Sequence, residues 1–264
     1  MLCALGKGLA GDITLIKSVQ KAIDILSILS ANAEMPMTLS ALAEQAGINK
    51  STCAHIVDTL CESLYVERVS RTQGYRLGPW AYMLSRYGSY QNGLVTVAAP
   101  VLKWLQAKTK ATVFISVACN GKKYIIYHID KLGILERSDG SIIQGRLETT
   151  ATGMLLMSYM DAETLRHALS RRTDEVEVVT SKLLTDLNKK FKKIRAQGYA
   201  YIAVPTNVPE PHQSYAFAVS KGGKVIASLG ILYPDVMESP EFKESMIKCG
   251  RIAAREISRR LEIK

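Results

Sequence analysis

Lys50, Ser51, Thr52 and His55 stand close together in the chain, and Arg68, Arg71 and Arg76 follow in a short basic segment. These side chains suit gripping phosphates and reading base edges: point charges, guanidinium forks, small hydroxyl donors and an imidazole. They do not form a catalytic set. No GxSxG turn, paired histidine or metal cluster accompanies them, so neither an enzyme nor a cofactor is expected. The histidines, His55, His128, His167 and His212, are scattered without zinc-ligand spacing. Five cysteines (Cys3, Cys53, Cys61, Cys119, Cys249) contain no CxxC pair and are odd in number, which fits reduced thiols in a cytoplasmic protein.

The elements around the polar residues have a definite order. Residues 38–76 read TLSALAEQAGINKSTCAHIVDTLCESLYVERVSRTQGYR. Leu39, Leu42, Ala43 and Ala46 recur at helical spacing, with Thr38 or Ser40 able to cap the start. Gly47 supplies a left-handed residue that ends this helix. Asn49 then caps a second helix whose buried stripe is expected to be Cys53, Ile56, Val57, Leu60 and Leu64. Lys50, Ser51, Thr52, Ala54 and His55 lie between those buried positions. Tyr65–Val69 alternates as a strand, Ser70–Gly74 turns, and Tyr75–Leu77 returns. Helix, tight turn, helix and basic hairpin together make a winged helix-turn-helix, whose second helix enters the major groove of duplex DNA by its N-terminal turn. Thr38, Ser40, Asn49, Lys50, Ser51, Thr52, Ala54, His55, Arg68, Arg71 and Arg76 are the candidate DNA-contacting residues.

Charge alone does not make this case. The net charge is +10, yet residues 1–78 hold seven basic and seven acidic groups, and the whole excess lies further on, 27 basic against 17 acidic. A neutral module makes few phosphate contacts per copy, so useful affinity calls for more than one copy bound together. Hydrophobic residues at 47% and charged residues at 22% describe a globular protein with room for two cores in its 264 residues. No apolar run is long enough to cross a bilayer, and MLCALGKGLAGD at the start does not read as a secretion signal.

Elsewhere the pattern predicts a helix from Ser18 with Val19, Ala22, Ile23, Leu26 and Leu29 on its inner face. Another starts at Gly78-Pro79 through Trp80, Met83, Leu84 and Tyr87, and Asn92-Gly93 separates it from a helix over 94–108. Then the period changes. ATVFISVAC (111–119) and KKYIIYHI (122–129) flank Asn120-Gly121 as a hairpin. Tyr199–Val204 reads as a further strand. Tyr215–Ser220 and Lys224–Tyr233 form a second hairpin around Lys221-Gly222-Gly223. Helices are expected at Thr150–Met160, Leu183–Arg195 and Pro240–Leu261. The lysines of Lys189–Arg195 read as the solvated face of a helix that turns Leu187, Phe191 and Ile194 inward.

This order of parts resembles the IclR family of bacterial transcription regulators. SVQKAIDIL (18–26), TLSALAEQAGINKST (38–52), GYRLGP (74–79), ETTATGMLLMSYM (148–160), RAQGYAY (195–201) and SYAFAVSKGGKVIASLGI (214–231) carry the resemblance. It implies a homodimer or dimer of dimers on a palindromic operator, and a downstream GAF-like sensor for small, often carboxylate-bearing metabolites. The chain departs from the family pattern in several places. His55 and Ala54 stand where arginine and histidine are common, Glu148 and Met154 replace the histidine and lysine of an HATAxGK-like loop, Val204-Pro205 replaces an acidic pair, and Ser214 matches a pocket cysteine. The candidate effector residues are Glu148, Thr149, Thr150, Ala151, Thr152, Gly153, Met154, Val204, Ser214 and Tyr215, suited to a neutral, polar or partly apolar molecule. Against this stands the reading of 148–160 as a capped core helix whose pocket no longer takes a ligand. The chain would then be a ligand-independent architectural or protein-interaction module.

The expected fold class is α+β: an N-terminal winged helix-turn-helix domain plus a C-terminal GAF-like domain with an antiparallel sheet and flanking helices. The expected division is a flexible extension over 1–14, the DNA-binding domain over 15–78, a helical connector over 79–93 and the effector domain over 94–264.

Overall fold

A computed structural model describes residues 15–33, 35–70, 72–87, 93–119, 121–132, 147–170, 181–204, 212–233 and 239–263. These fall into two compact units, 15–87 and 93–263. The extension over 1–14, Arg71, the Asn92 break and Asn120 lie outside the described residues.

In the first unit, α1 (Lys17–Ala31), α2 (Leu39–Gln45) and α3 (Lys50–Glu62) precede a hairpin of β1 (Val66–Ser70) and β2 (Gly74–Leu77), and α4 (Pro79–Tyr87) follows. Their core is Ile25, Leu29, Met37, Leu42, Ala43, Cys53, Val57, Val66 and Tyr75. The hairpin is tied to the start of α2 by a two-way backbone bridge, Met37 N–H to Tyr75 O and Tyr75 N–H to Met37 O, each 2.8 Å. The approach is so close that a Cβ on Gly74 would lie 2.1 Å from the Met37 carbonyl oxygen, and Gly74 has φ +93°. Only glycine fits there.

Two expectations for this unit fail. Leu29 is buried and Leu26 packs against the core as expected, but Val19 and Ile23 are 53% and 51% exposed, and Ile25, which lies outside the expected face, is buried. The helix has apolar residues on two sides, and periodicity cannot say which side the core takes. Leu64 is also exposed: α3 ends at Glu62, and Leu64 adopts φ +60°. Tyr65 N–H donates to Leu60 O and Leu64 N–H to Cys61 O, a helix stop of the Schellman kind with leucine in the left-handed position.

The second unit is a five-stranded antiparallel sheet in the order β4-β3-β7-β6-β5, formed by β3 (Thr112–Cys119), β4 (Lys122–Ile129), β5 (Ala200–Val204), β6 (His212–Lys221) and β7 (Lys224–Tyr233). The β-branched and aromatic runs supply the strands, and alternation sorts their side chains into two layers. Val113, Ile115, Val117, Phe217, Leu229 and Ile231 pack with α5 (Leu94–Thr109) and α9 (Pro240–Ile263). On the other face, Ala200 and Ala216 pack with α6 (Ala151–Ser158), α7 (Ala162–Ser170) and α8 (Ser181–Gln197). The α+β class with an antiparallel sheet and flanking helices is therefore the observed one. Helix α7 had no counterpart in the sequence reading, and β6 begins three residues before the expected strand. Leu187, Phe191 and Ile194 are buried in α8, and Lys189, Lys190, Lys192 and Lys193 are exposed, as the pattern predicts. No helix among the described residues is long and apolar enough to cross a membrane.

Candidate nucleic-acid interface and effector site

The start of α3 is built by its own residues. Asn49 is the N-cap, and its Oδ1 accepts from Thr52 N–H at 2.7 Å and from Ser51 Oγ at 2.9 Å. Of the amides in this first turn, those of Lys50 and Ser51 have no carbonyl one turn back to reach. The positive end of the helix dipole adds to them, so the turn attracts an anion. Lys50, Ser51 and His55 are exposed, and Thr52 and Ala54 are half-buried. Buried Cys53 and Val57 anchor the opposite side. Thr38 caps α2 by accepting from Ala41 N–H at 3.3 Å, which leaves Ser40 as an exposed residue inside the helix. Asn49 and Thr38 therefore set geometry, while Lys50, Ser51 and His55 are presented.

On the wing, Arg68 is exposed and stands over the Tyr75 ring with its guanidinium carbon 5.7 Å from the ring centroid. Arg76 faces Glu67 directly across the hairpin and forms a short ion pair with it, so part of its charge is already met. That distinguishes it from Arg68. Burial raises the thiol pKa of Cys53 and Cys61, the latter pushed further up by Asp58 and opposed by Arg68.

In the second unit, Thr150 caps α6, its Oγ1 accepting from Gly153 N–H at 3.1 Å. A Cβ at Gly153 would lie 2.0 Å from Leu147 O, so the preceding 3-10 turn (Leu147–Thr149) presses against the helix at that residue. Ala151, Thr152 and Met154 are buried, Glu148 is half-buried and Thr149 is exposed. Ser214 is 8% exposed and alternates with Gln213 and Tyr215, so it shares the sheet face of Ala216, which packs against α6. Val204 pairs with His212 at the end of β5.

Tyr215 needs correction. It lies on the opposite face, packed with α5 and α9, its ring 4.9 Å from Tyr201 and its hydroxyl donating to Gln213 Oε1 at 3.2 Å. Burial and the neighbouring Tyr201 and Tyr199 push its pKa well up. Its side chain points to the face opposite that of Ser214, so Tyr215 does not join Ser214.

Two further polar residues emerge. Ser116 and Ser228 are directly paired across β3 and β7, fully buried, and their hydroxyls have no partner among the described residues. Their strand neighbours Ile115, Val117, Ala227 and Leu229 belong to the α5/α9 layer, so both serines face the α6 side. Lys123 is buried at 2% exposure on the same side, opposite Ala118 on β3, and burial lowers its pKa to about 8. A lone serine inside an apolar strand run was a visible sequence signal; the pairing of two such serines was not. Among the described residues, no group of three or more histidine, cysteine or carboxylate side chains could hold a metal ion.

Comparison with known proteins adds to this geometry. The family model for the IclR helix-turn-helix domain matches residues 18–70, and that for the C-terminal domain of bacterial IclR transcriptional regulators matches 89–259. The chain belongs to the IclR family of bacterial transcriptional regulators. It is 26% identical over 251 residues to the HTH-type transcriptional regulator KdgR of Dickeya chrysanthemi, covering 92% of this chain and 79% of that one. It is 27% identical over 187 residues to TtgV of Pseudomonas putida, covering 70% of each. An IclR regulator from Alicyclobacillus acidocaldarius shares the fold with a TM-score of 0.72 at 22% identity, covering 93% of this chain and 98% of that one. An IclR homolog from Microbacterium hydrocarbonoxydans, complexed with 4-hydroxybenzoate, gives 0.73 at 20% identity, covering 94% and 100%. This IclR-family chain is thus a transcriptional regulator with a helix-turn-helix DNA-binding domain.

Proposed function

We propose that this regulator binds a palindromic operator through the exposed first turn of α3 and the wing, as a homo-oligomer, and that a small molecule in the second unit modulates that binding. The observation that carries the DNA-contact assignment is the self-capped α3 terminus. Asn49 spends its side chain internally, and Lys50, Ser51 and His55 remain outward on a rigidly anchored helix. His55 reads a base edge, Lys50 and Arg68 hold phosphates, and Arg71 acts with them from the wing.

Pairing has its own support. Ile16 at the N-cap of α1, Val19 and Ile23 on α1, and Trp80 and Leu84 on α4 are 47–69% exposed at helical spacing, a large apolar area for a module with no net charge. A second copy covering these stripes would supply the duplicated DNA contact that a neutral module needs. The connector over 79–93 would then carry changes in the sensor to the spacing of paired heads.

For the effector, Ser116, Ser228, Thr152 and Ser214 favour a neutral, hydroxyl-bearing or partly apolar molecule on the α6 side of the sheet. Two buried hydroxyls without partners are costly unless something meets them. The competing reading, a closed core helix, draws on the complete burial of α6.

The test selects binding duplexes from a randomised library and measures affinity against salt. Lys50→Ala should lower the salt slope by about one and weaken all duplexes alike. His55→Ala should change the selected sequence. If both variants keep the wild-type slope and sequence preference, α3 is not the reading helix.

A further inference from the structure

On the second unit, β5 stops pairing at Ala200–Ala216, whereas β6 continues to Lys221. A cavity of about 400 Å³ opens where β6, still paired with β7, runs on past the end of β5, lined by Ala196, Gln197 and Gly198 at the end of α8, by Phe217 and Ala218, and by Arg251, Ala254 and Arg255 of α9. Its volume lies within the range of small-molecule sites. Its chemistry is unlike that of the α6 side: two guanidinium groups over an apolar floor.

The two arginines are one helical turn apart, a like-charge spacing that destabilises an isolated helix. Arg251 is fixed. It donates to Gln197 O at 2.6 Å and its guanidinium carbon stands 5.7 Å from the Tyr199 ring centroid, while Gln197 Nε2 is itself tied to Tyr199 O at 2.6 Å. Arg251 thereby offsets the negative end of the α8 dipole, and the donors on its remaining edge stay available. Arg255 is exposed and has no acidic partner among the described residues. Glu256, the nearest carboxylate in sequence, is held by Arg259 and Arg260 instead.

We propose that this groove is a second ligand site that takes a small organic carboxylate. The carboxylate sits between the fixed guanidinium of Arg251 and the free one of Arg255, in the two-armed geometry for which arginine is suited. The organic body lies on Phe217, Ala218 and Ala254. A pre-positioned arginine costs little ordering entropy when the ligand arrives, and the anion relieves the repulsion between the two cations. The site stands on the α9 side of the edge strand, so it depends on neither Ser116 nor Ser228.

The experiment is isothermal titration calorimetry of the full chain with benzoate, acetate and inorganic phosphate at matched ionic strength. Saturable benzoate binding is expected, tighter than acetate by at least threefold because only benzoate uses the apolar floor. Arg255→Gln, at an exposed position, should weaken benzoate at least tenfold without changing the melting temperature. Lys189→Gln, which removes one charge elsewhere on the surface, should change affinity less than twofold. Absence of saturable benzoate binding overturns the proposal, as does binding that Arg255→Gln leaves within twofold of wild type. If phosphate binds and benzoate does not, or if non-operator duplex displaces benzoate from wild type, the groove is a phosphate-binding surface and the carboxylate site is refuted.

Discussion

Replacing Lys123 by methionine should stabilise the second unit, and by an amount that depends on pH. Lys123 is 2% exposed and lies on the side of the sheet that packs against α6 to α8, and burial holds its pKa down from 10.5 to about 8. A displacement of that size corresponds to about 3 kcal/mol of penalty on the charged form. Below pH 8 both folded and unfolded chains carry the proton, so the penalty is borne in full. Between pH 8 and 10.5 the unfolded chain keeps a proton that the folded chain has released, so the wild-type contribution rises with pH. Methionine preserves most of the side chain's bulk and removes the charge. The variant should gain about 3 kcal/mol at pH 7 and only about 1 kcal/mol at pH 9.5. The chain has two tryptophans, so in a Trp80→Phe background Trp104 on α5 reports urea unfolding of the second unit alone. Equal gains at both pH values, or none at pH 7, would refute the argument that Lys123 is a buried, uncompensated cation.

Three other outcomes follow from particular contacts. Asn49→Ala removes the acceptor for Thr52 N–H and Ser51 Oγ and should cost the first unit about 1 kcal/mol, read as a lower melting temperature, with Asn49→Asp restoring it. Gly153→Ala drives a methyl into Leu147 O and should cost about 3 kcal/mol, lowering the urea midpoint reported by Trp104 and leaving operator binding by the first unit measurable. Val19→Glu with Ile23→Glu places charge on the exposed stripe of α1. Sedimentation should then show a smaller assembly and gel shifts a weaker operator complex, whereas an unchanged mass would place the pairing surface elsewhere.

The parts of the fold that sequence disclosed are those fixed by neighbours along the chain. The caps at Thr38 and Asn49, the turn at Gly47 and both hairpins of the sheet depend on residues within a few positions of each other. Helix α1 was different. Its apolar residues occupy two sides; the expected Leu29 goes inward, but only the packing of Met37, Leu42 and Tyr75 decides that Ile25 joins it and that Val19 and Ile23 do not. Leu64 misled for a similar reason: its spacing continues the α3 stripe, but the chain has already left the helix at Glu62. Ser116 and Ser228 meet only through pairing between strands more than a hundred residues apart in sequence, and no local rule reports that.

Two features of the candidate sites are legible in the sequence itself. A hairpin turning through Ser70–Gly74 sets Glu67 opposite Arg76, and opposite charges at such a position pair. Arg76 thus already meets a carboxylate, whereas Arg68 faces Tyr75 across the hairpin. Ser214 and Tyr215 are consecutive in a strand, and period two alone separates their faces. The distinction bears on regulation. Tyr215 rests among Tyr199, Tyr201 and Phe217 on the α9 side, next to the groove of Arg251 and Arg255, whereas Ser214 belongs to the α6 side. Strand β6 thus lies between the side of Ser116 and Ser228 and the side of Arg251 and Arg255. A ligand on either face would act on the same strand from opposite sides. Titrating benzoate against operator affinity in wild type and in Arg255→Gln tests that coupling: loss of any benzoate effect in the variant is the expected result, and an effect of equal size in both would break the link.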